Sequence, residues 1–289
     1  MEKRQYYFAG VGVEISMPKE RFYENEYRLT PFRTEGLINP HKICFKWVKE
    51  LSEPQGNLIG RFKSTYVYEN CGEYILYLDT LRAKWNSAGL RVYHKEKVHE
   101  VEVNENIYKK TIDVKSVLQC LGVEQMLLDE NAFVLHCSYI EVNGKAILFT
   151  APSETGKSTQ ANLWEKLRGA SIINGDKAAV HFPEDKKGVF AAGIPFAGSS
   201  EYCINKNVPL QAIVYLEQAP VTTVRRMGGK EAFVRIWEGS GKNHWNRENI
   251  DKLSVVVKRL IEVVPVFCLA CTPDETAVVT LENALMKEC

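Results

Sequence analysis

No run in this 289-residue chain approaches the ~20 consecutive apolar residues that a membrane-spanning helix needs. The longest candidate, from Leu253 to Ala270, is interrupted by Lys258, Arg259, Glu262 and Pro265. Net charge is nearly absent too: 37 Lys and Arg against 36 Asp and Glu leave +1. A chain so balanced has no field with which to recruit nucleic acid or an anionic membrane, and neither is expected as a partner. The start, Met1-Glu-Lys-Arg-Gln, lacks the apolar stretch and small-residue cleavage site of a secretory leader, so a cytoplasmic location is expected. The eight cysteines are scattered, and Cys268-Leu-Ala-Cys271 has no second pair to complete a zinc site. They read as reduced thiols. There is no internal repeat and no low-complexity tract.

With 45% hydrophobic and 25% charged residues the chain can bury a large core. Residues 1–112 carry short alternating or aromatic runs, among them Ile43 to Trp47, Tyr74 to Leu78, Leu90 to Tyr93 and Val98 to Val103. These predict a β-rich, largely antiparallel N-terminal region. A helical pattern from Asp113 to Leu128 then opens a second domain, 113–289, of α/β type. Near the end, Thr272-Pro273-Asp274-Glu275 reads as a capping box with Pro at the first helical position.

The most informative stretch is Ala151, Pro152, Ser153, Glu154, Thr155, Gly156, Lys157, Ser158 and Thr159. It follows the turn pair Asn143-Gly144 and the apolar run Ala146 to Phe149, which predict the second strand of a hairpin. A helix is predicted behind it, with Leu163 and Leu167 on one face, Ala161 and Trp164 broadening it, and Gly169 ending it. A loop between strand and helix aims backbone N–H groups and a helix N-terminus at one point, which suits a phosphate. Lys157 would reach the terminal phosphates and Ser158 would bind Mg²⁺. Ala151 stands where the strict pattern has its first glycine. An ordinary strand-to-helix turn is the plainer alternative.

Asp176 follows Ser171-Ile-Ile173, so it is expected at the carboxyl end of a strand beside the loop strand, as a metal ligand or as the base for an attacking hydroxyl. Asn-Gly-Asp is equally a common turn. His136 ends the run Ala132 to Leu135 and is either a core histidine or a group near the acceptor. Lys177, Lys206 and Arg225 are weaker candidates for charge neutralisation, and 239–247 reads as a helix connection or a lid.

From Leu135-His136-Cys-Ser, through the loop, to Asn174-Gly175-Asp176-Lys177 and Gly193 to Gly198, the chain resembles the catalytic domain of HPr kinase/phosphorylase, itself related to phosphoenolpyruvate carboxykinase. The resemblance spans about residues 130 to 220. It implies a P-loop fold and an ATP- and Mg²⁺-dependent kinase that phosphorylates a hydroxyl of a small protein, peptide or metabolite. Catalysis would fall to Asp176, His136 and Lys157, metal binding to Ser158 and Asp176, and the family's homo-oligomers make one plausible here. Two departures stand out: the family's paired aspartates are reduced to Asp176 behind Gly175, and the segment that recognises HPr is not evident. HPr is therefore not the expected acceptor. The missing second aspartate and Ala151 in place of the first glycine leave open a nucleotide-binding sensor or scaffold without transfer chemistry, and an ATP hydrolase is a third option.

Overall fold

A computed structural model describes every residue except 24, 25, 63, 80–87, 109–121, 199 and 289. The chain is of mixed α/β type with two large sheets. It divides into two compact units, Met1–Tyr7 with Val11–Met126 and Asn243–Arg247, and Phe8–Gly10 with Leu127–Lys242 and Glu248–Cys289. The expected boundary near residue 112, and the expected helix as far as 121, lie outside the described residues.

The first unit is built on nine strands: β1 (Glu2–Phe8), β2 (Val11–Met17), β3 (Arg33–Thr34), β4 (His41–Val48), β5 (Asn57–Phe62), β6 (Thr65–Asn70), β7 (Glu73–Leu78), β8 (Leu90–Lys95) and β9 (Val98–Asn104). Their order across the sheet is β3-β1-β2-β4-β9-β8-β7-β6-β5. From β9 to β5 the strands form an antiparallel meander. The alternating pattern did not disclose that β4 runs parallel to both β2 and β9. Alternation reports which face a residue takes, and that is the same for either strand direction.

In the second unit β10 (Ala132–Val142) and β11 (Lys145–Thr150) form the expected hairpin, with Val142 opposite Lys145 across Asn143-Gly144. Both turn residues have positive φ, 52° and 73°, as a tight hairpin of matching twist requires. β11 runs parallel to β15 (Asn207–Gln218), and β15 runs parallel to β17 (Val266–Cys271). These three central strands are apolar on both faces because both are covered. Ile147, Phe149, Ala212, Val214, Leu216, Phe267 and Leu269 share one core with Ala161 and Trp164 of the helix Lys157–Arg168 and with Leu281 of the helix Glu275–Met286. Leu148, Ile213, Tyr215 and Cys268 point the other way, into a core with Ile236 of the helix Gly229–Gly239 and Leu253 and Leu260 of the helix Arg247–Val263. The result is a helix, sheet, helix sandwich whose parallel strands all end on one edge.

Several expectations need correction. In the helix Lys157–Arg168 the buried face is Gln160, Ala161 and Trp164, while Leu163 and Leu167 are only half-buried at its margin. The last helix starts at Glu275 rather than Pro273. Its cap is Asp274, whose carboxylate accepts from Thr276 N at 2.8 Å and from Thr272 Oγ1 at 2.5 Å. β12 (Ser171–Asn174) pairs with β10, so it does not lie beside the loop strand β11. At the start of the 239–247 stretch, residues 240 and 241 are pinned to β10, with Ser240 bridging Leu135 and Gly241 N donating to Val134 O. Among the described residues no helix is long and apolar enough to cross a membrane, and the described cysteines are free thiols.

Candidate functional site

The loop leaves β11 after Thr150 and enters its helix at Lys157, at the edge where the parallel strands end. Ala151 is buried in the core beneath the loop, so its methyl group fills space that a glycine would leave empty. Pro152, Ser153 and Glu154 are exposed, as are Ser158 and Thr159, and Thr155 Oγ1 donates to Pro152 O at 3.0 Å. The loop turns through two left-handed residues, Glu154 at φ 66° and the N-cap Gly156 at φ 116°. At Gly156 no neighbour lies within 4 Å of a would-be Cβ, so the backbone angle alone calls for glycine.

Lys157 folds back under the loop, its Nζ donating to Ala151 O at 3.0 Å and Pro152 O at 3.1 Å. Burial lowers its ammonium below the ordinary 10.5. Beside it stands His136, placed by β10 pairing: Cys137 faces Thr150 of β11, and His136 faces Lys177 of β13 (Lys177–His181). That register brings Asp176, at the head of β13, against the imidazole. His136 Nδ1 lies 2.9 Å from the Asp176 carbonyl oxygen and 3.3 Å from its Oδ1. A carbonyl oxygen can only accept, so Nδ1 carries the proton and Nε2 is left as the basic position. Burial first, and the Lys157 charge second, hold His136 below the ordinary 6.5 even against the opposing pull of Asp176. The His136–Asp176 pair and Lys157, from separate segments of the chain, thus lie close enough for their charges to act on one another.

Asp176 is held by residues the sequence reading did not weigh. Asn174 is fully buried; its Oδ1 accepts from Asp176 N and Lys177 N, both at 3.0 Å, and its Nδ2 donates to Ile194 O and Phe196 O. Gly198, at φ 53°, lets the chain pass so close that a Cβ there would sit 2.6 Å from the Asp176 carboxylate. At Gly175, where the resemblance would have a second aspartate, a Cβ would meet Ser200 Oγ at 2.3 Å. The Asn-Gly-Asp run was the available signal for Asn174; nothing local announced Gly198 or Ser200.

Of the weaker candidates, Lys177 lies beside this group, opposite His136 in the strand register, while Lys206 and Arg225 do not join it through the contacts they make. Lys206 is engaged by Glu141, and Arg225 makes a two-bond pair with Glu231 at 2.6 and 2.7 Å. In the first unit, His94, His99 and His41 form a buried chain, with His99 Nδ1 2.8 Å from His94 and its Nε2 3.1 Å from His41. Using both nitrogens of one ring makes a relay rather than a cage, and among the described residues no group of three or more His, Cys, Asp or Glu can hold a metal.

Residues 100–273, more than half of the chain, match the family described as SynChlorMet cassette protein ScmC. The chain belongs to this family. The match covers the hairpin, the loop, Asp176 and the three parallel strands, so every residue of the cluster above lies in the part shared with the ScmC family. No curated protein matches the chain. Among solved structures, the Hpr(Ser) kinase/phosphatase from Coxiella burnetii is similar at 10% identity with a TM-score of 0.34, over 54% of this chain and 92% of that one. That likeness is weak and settles neither fold nor activity.

Proposed function

We propose that this ScmC-family chain is an ATP- and Mg²⁺-dependent phosphotransferase with a P-loop, HPr-kinase-like second domain. The observation that carries the reading is the His136–Asp176 pair lying within the electrostatic reach of Lys157, the lysine of the loop. In this scheme residues 151–159 wrap the phosphates with backbone amides and the helix N-terminus. Lys157 gives up the carbonyls of Ala151 and Pro152 to pair with the terminal phosphates. The donor set of a Ser158 hydroxyl and the Asp176 carboxylate suits Mg²⁺, a hard cation that takes few protein ligands beside phosphate oxygens and water. When bound, that ion would neutralise charge on the transferring group.

The chemical step breaks the bond between the terminal phosphorus and its bridging oxygen and forms one to the acceptor oxygen. The acceptor's proton passes to Asp176 or to His136 Nε2, and the nucleoside diphosphate leaves. The acceptor is a hydroxyl of a peptide, a small protein or a metabolite. Incubation with terminally labelled ATP, Mg²⁺ and source-cell lysate should label one species, and Lys157→Ala and Asp176→Asn should each abolish the label. An unchanged label in both variants would remove these residues from the chemistry.

One observation favours a second reading, a nucleotide-binding sensor without transfer. Ser200 occupies the space beside Gly175, which leaves a single carboxylate where the resemblance implies two. Tight Mg·ATP binding with no labelled acceptor and no phosphate release would select it.

A further inference from the structure

A cleft of about 530 Å³ opens where β15 and β17 end, against the loop and the first turn of its helix. Its wall includes Glu154 to Gly156 of the loop but not Lys157, His136 or Asp176. The transfer cluster and the cleft wall therefore share no residue, while Glu154, Thr155, Gly156 and Thr159 belong both to the stretch 151–159 and to the cleft wall. We propose that the cleft holds the nucleoside of the nucleotide whose phosphates the loop binds, and that Gln160 selects adenine. This inference rests on the phosphotransferase reading.

The chemistry of the wall argues for a neutral, donor-bearing occupant. Glu154 and Glu217 are its carboxyl groups, Glu217 Oε1 lying 3.8 Å from Arg235, and no lysine or arginine lines it, so beyond the loop's own amides it offers no cationic partner for a phosphate. A ribose, with two hydroxyl donors, matches the Glu217 carboxylate. Leu216, Ala219, Pro220 and Pro273 supply apolar surface for the face of a base. An acceptor is a poor alternative occupant, because its hydroxyl has to reach Asp176 and His136, which lie outside this wall.

Gln160 supplies the selectivity. Its side chain is 2% exposed, and its Nε2 donates to Cys271 Sγ at 3.4 Å. Burial keeps the Cys271 thiol protonated, so the sulfur stays in place as a weak acceptor. The amide's carbonyl, Oε1, is buried with no hydrogen-bond partner. An acceptor left in that state calls for a donor. The amino group on C6 of adenine is such a donor, whereas guanine and hypoxanthine place an oxygen there and would set acceptor against acceptor. Gln160 is itself one of the residues that line the cleft. Helix register offers the means: Gln160 lies on the buried face three residues after Lys157, so one turn of helix carries both the phosphate ligand and the base reader.

Calorimetric titration with Mg·ATP, Mg·GTP, Mg·ITP and magnesium tripolyphosphate tests this. The wild type should bind ATP about tenfold or more tightly than GTP, ITP or tripolyphosphate. Ala219→Trp, which fills the cleft from the half-buried position just after β15, should reduce ATP affinity to that of tripolyphosphate and leave tripolyphosphate unchanged. Gln160→Leu should remove the preference for ATP over ITP. Equal affinities for ATP and tripolyphosphate in the wild type, or an Ala219→Trp protein that still binds ATP as before, would overturn the cleft assignment while the loop reading stands. If tripolyphosphate and ATP both fail to bind the wild type, the loop reading itself fails and this inference with it.

Discussion

Gly175 has no room for a side chain, because Ser200 Oγ would lie 2.3 Å and Ser200 Cβ 2.8 Å from any Cβ there. Restoring a second aspartate by Gly175→Asp should therefore lower stability by about 1–3 kcal/mol in urea unfolding, the usual range for overpacking. Gly175→Asp with Ser200→Gly should recover most of that loss. Equal stability of the single variant and the wild type would show that Ser200 moves aside freely. His136 makes a second residue-scale prediction. If its Nε2 takes the acceptor's proton, the imidazole must be neutral, and burial holds its pKa below 6.5. Transfer should be flat above pH 6.5 and fall only at more acid values, and His136→Asn should abolish that acid limb along with much of the rate. A wild-type limb centred above pH 7 would contradict the assignment. The loop, Lys157 and Asp176 were legible in the sequence because each belongs to a contiguous run with its own local signature. Asn174, Gly198 and Gln160 were not, since their roles depend on partners 20 or more residues away or on a neighbouring strand's end.

At the scale of elements, the buried histidine chain links β4, β9 and β8, and it makes the first sheet acid-sensitive. Burial pushes His94 down to about 4 and His99 down to about 3 from 6.5. The folded sheet thus binds fewer protons than the unfolded chain. Stability is full above pH 6.5 and declines as pH falls toward the folded values, by about 1.4 kcal/mol per pH unit for each histidine. Urea midpoints between pH 8 and 4.5 should follow that slope, and His99→Gln should make it shallower; an unchanged slope in the variant would place the proton uptake elsewhere. None of this was visible in the sequence, where positions 41, 94 and 99 share no periodicity. Hairpins behaved differently. The Asn143-Gly144 turn was readable because two residues decide it, whereas the place of β12 beside β10 was not, because pairing order in a sheet is a property of the whole sheet.

For the whole molecule, the sequence patterns disclosed the α/β class and the presence of strands through residues 43–103, while the parallel run β2, β4, β9 escaped them. The stretch matched by the ScmC family, residues 100–273, takes in the loop and the Asp176 cluster. The proposed phosphotransferase stands on residues 151–159 gripping the phosphates through backbone amides and Lys157. The most direct test is titration of the full chain with Mg·ATP beside Lys157→Ala. Saturable, one-site binding by the wild type and at least about tenfold weaker binding by the variant are expected, the worth of one buried charge-assisted contact. No binding by the wild type, or equal affinity in the two proteins, would contradict the proposal.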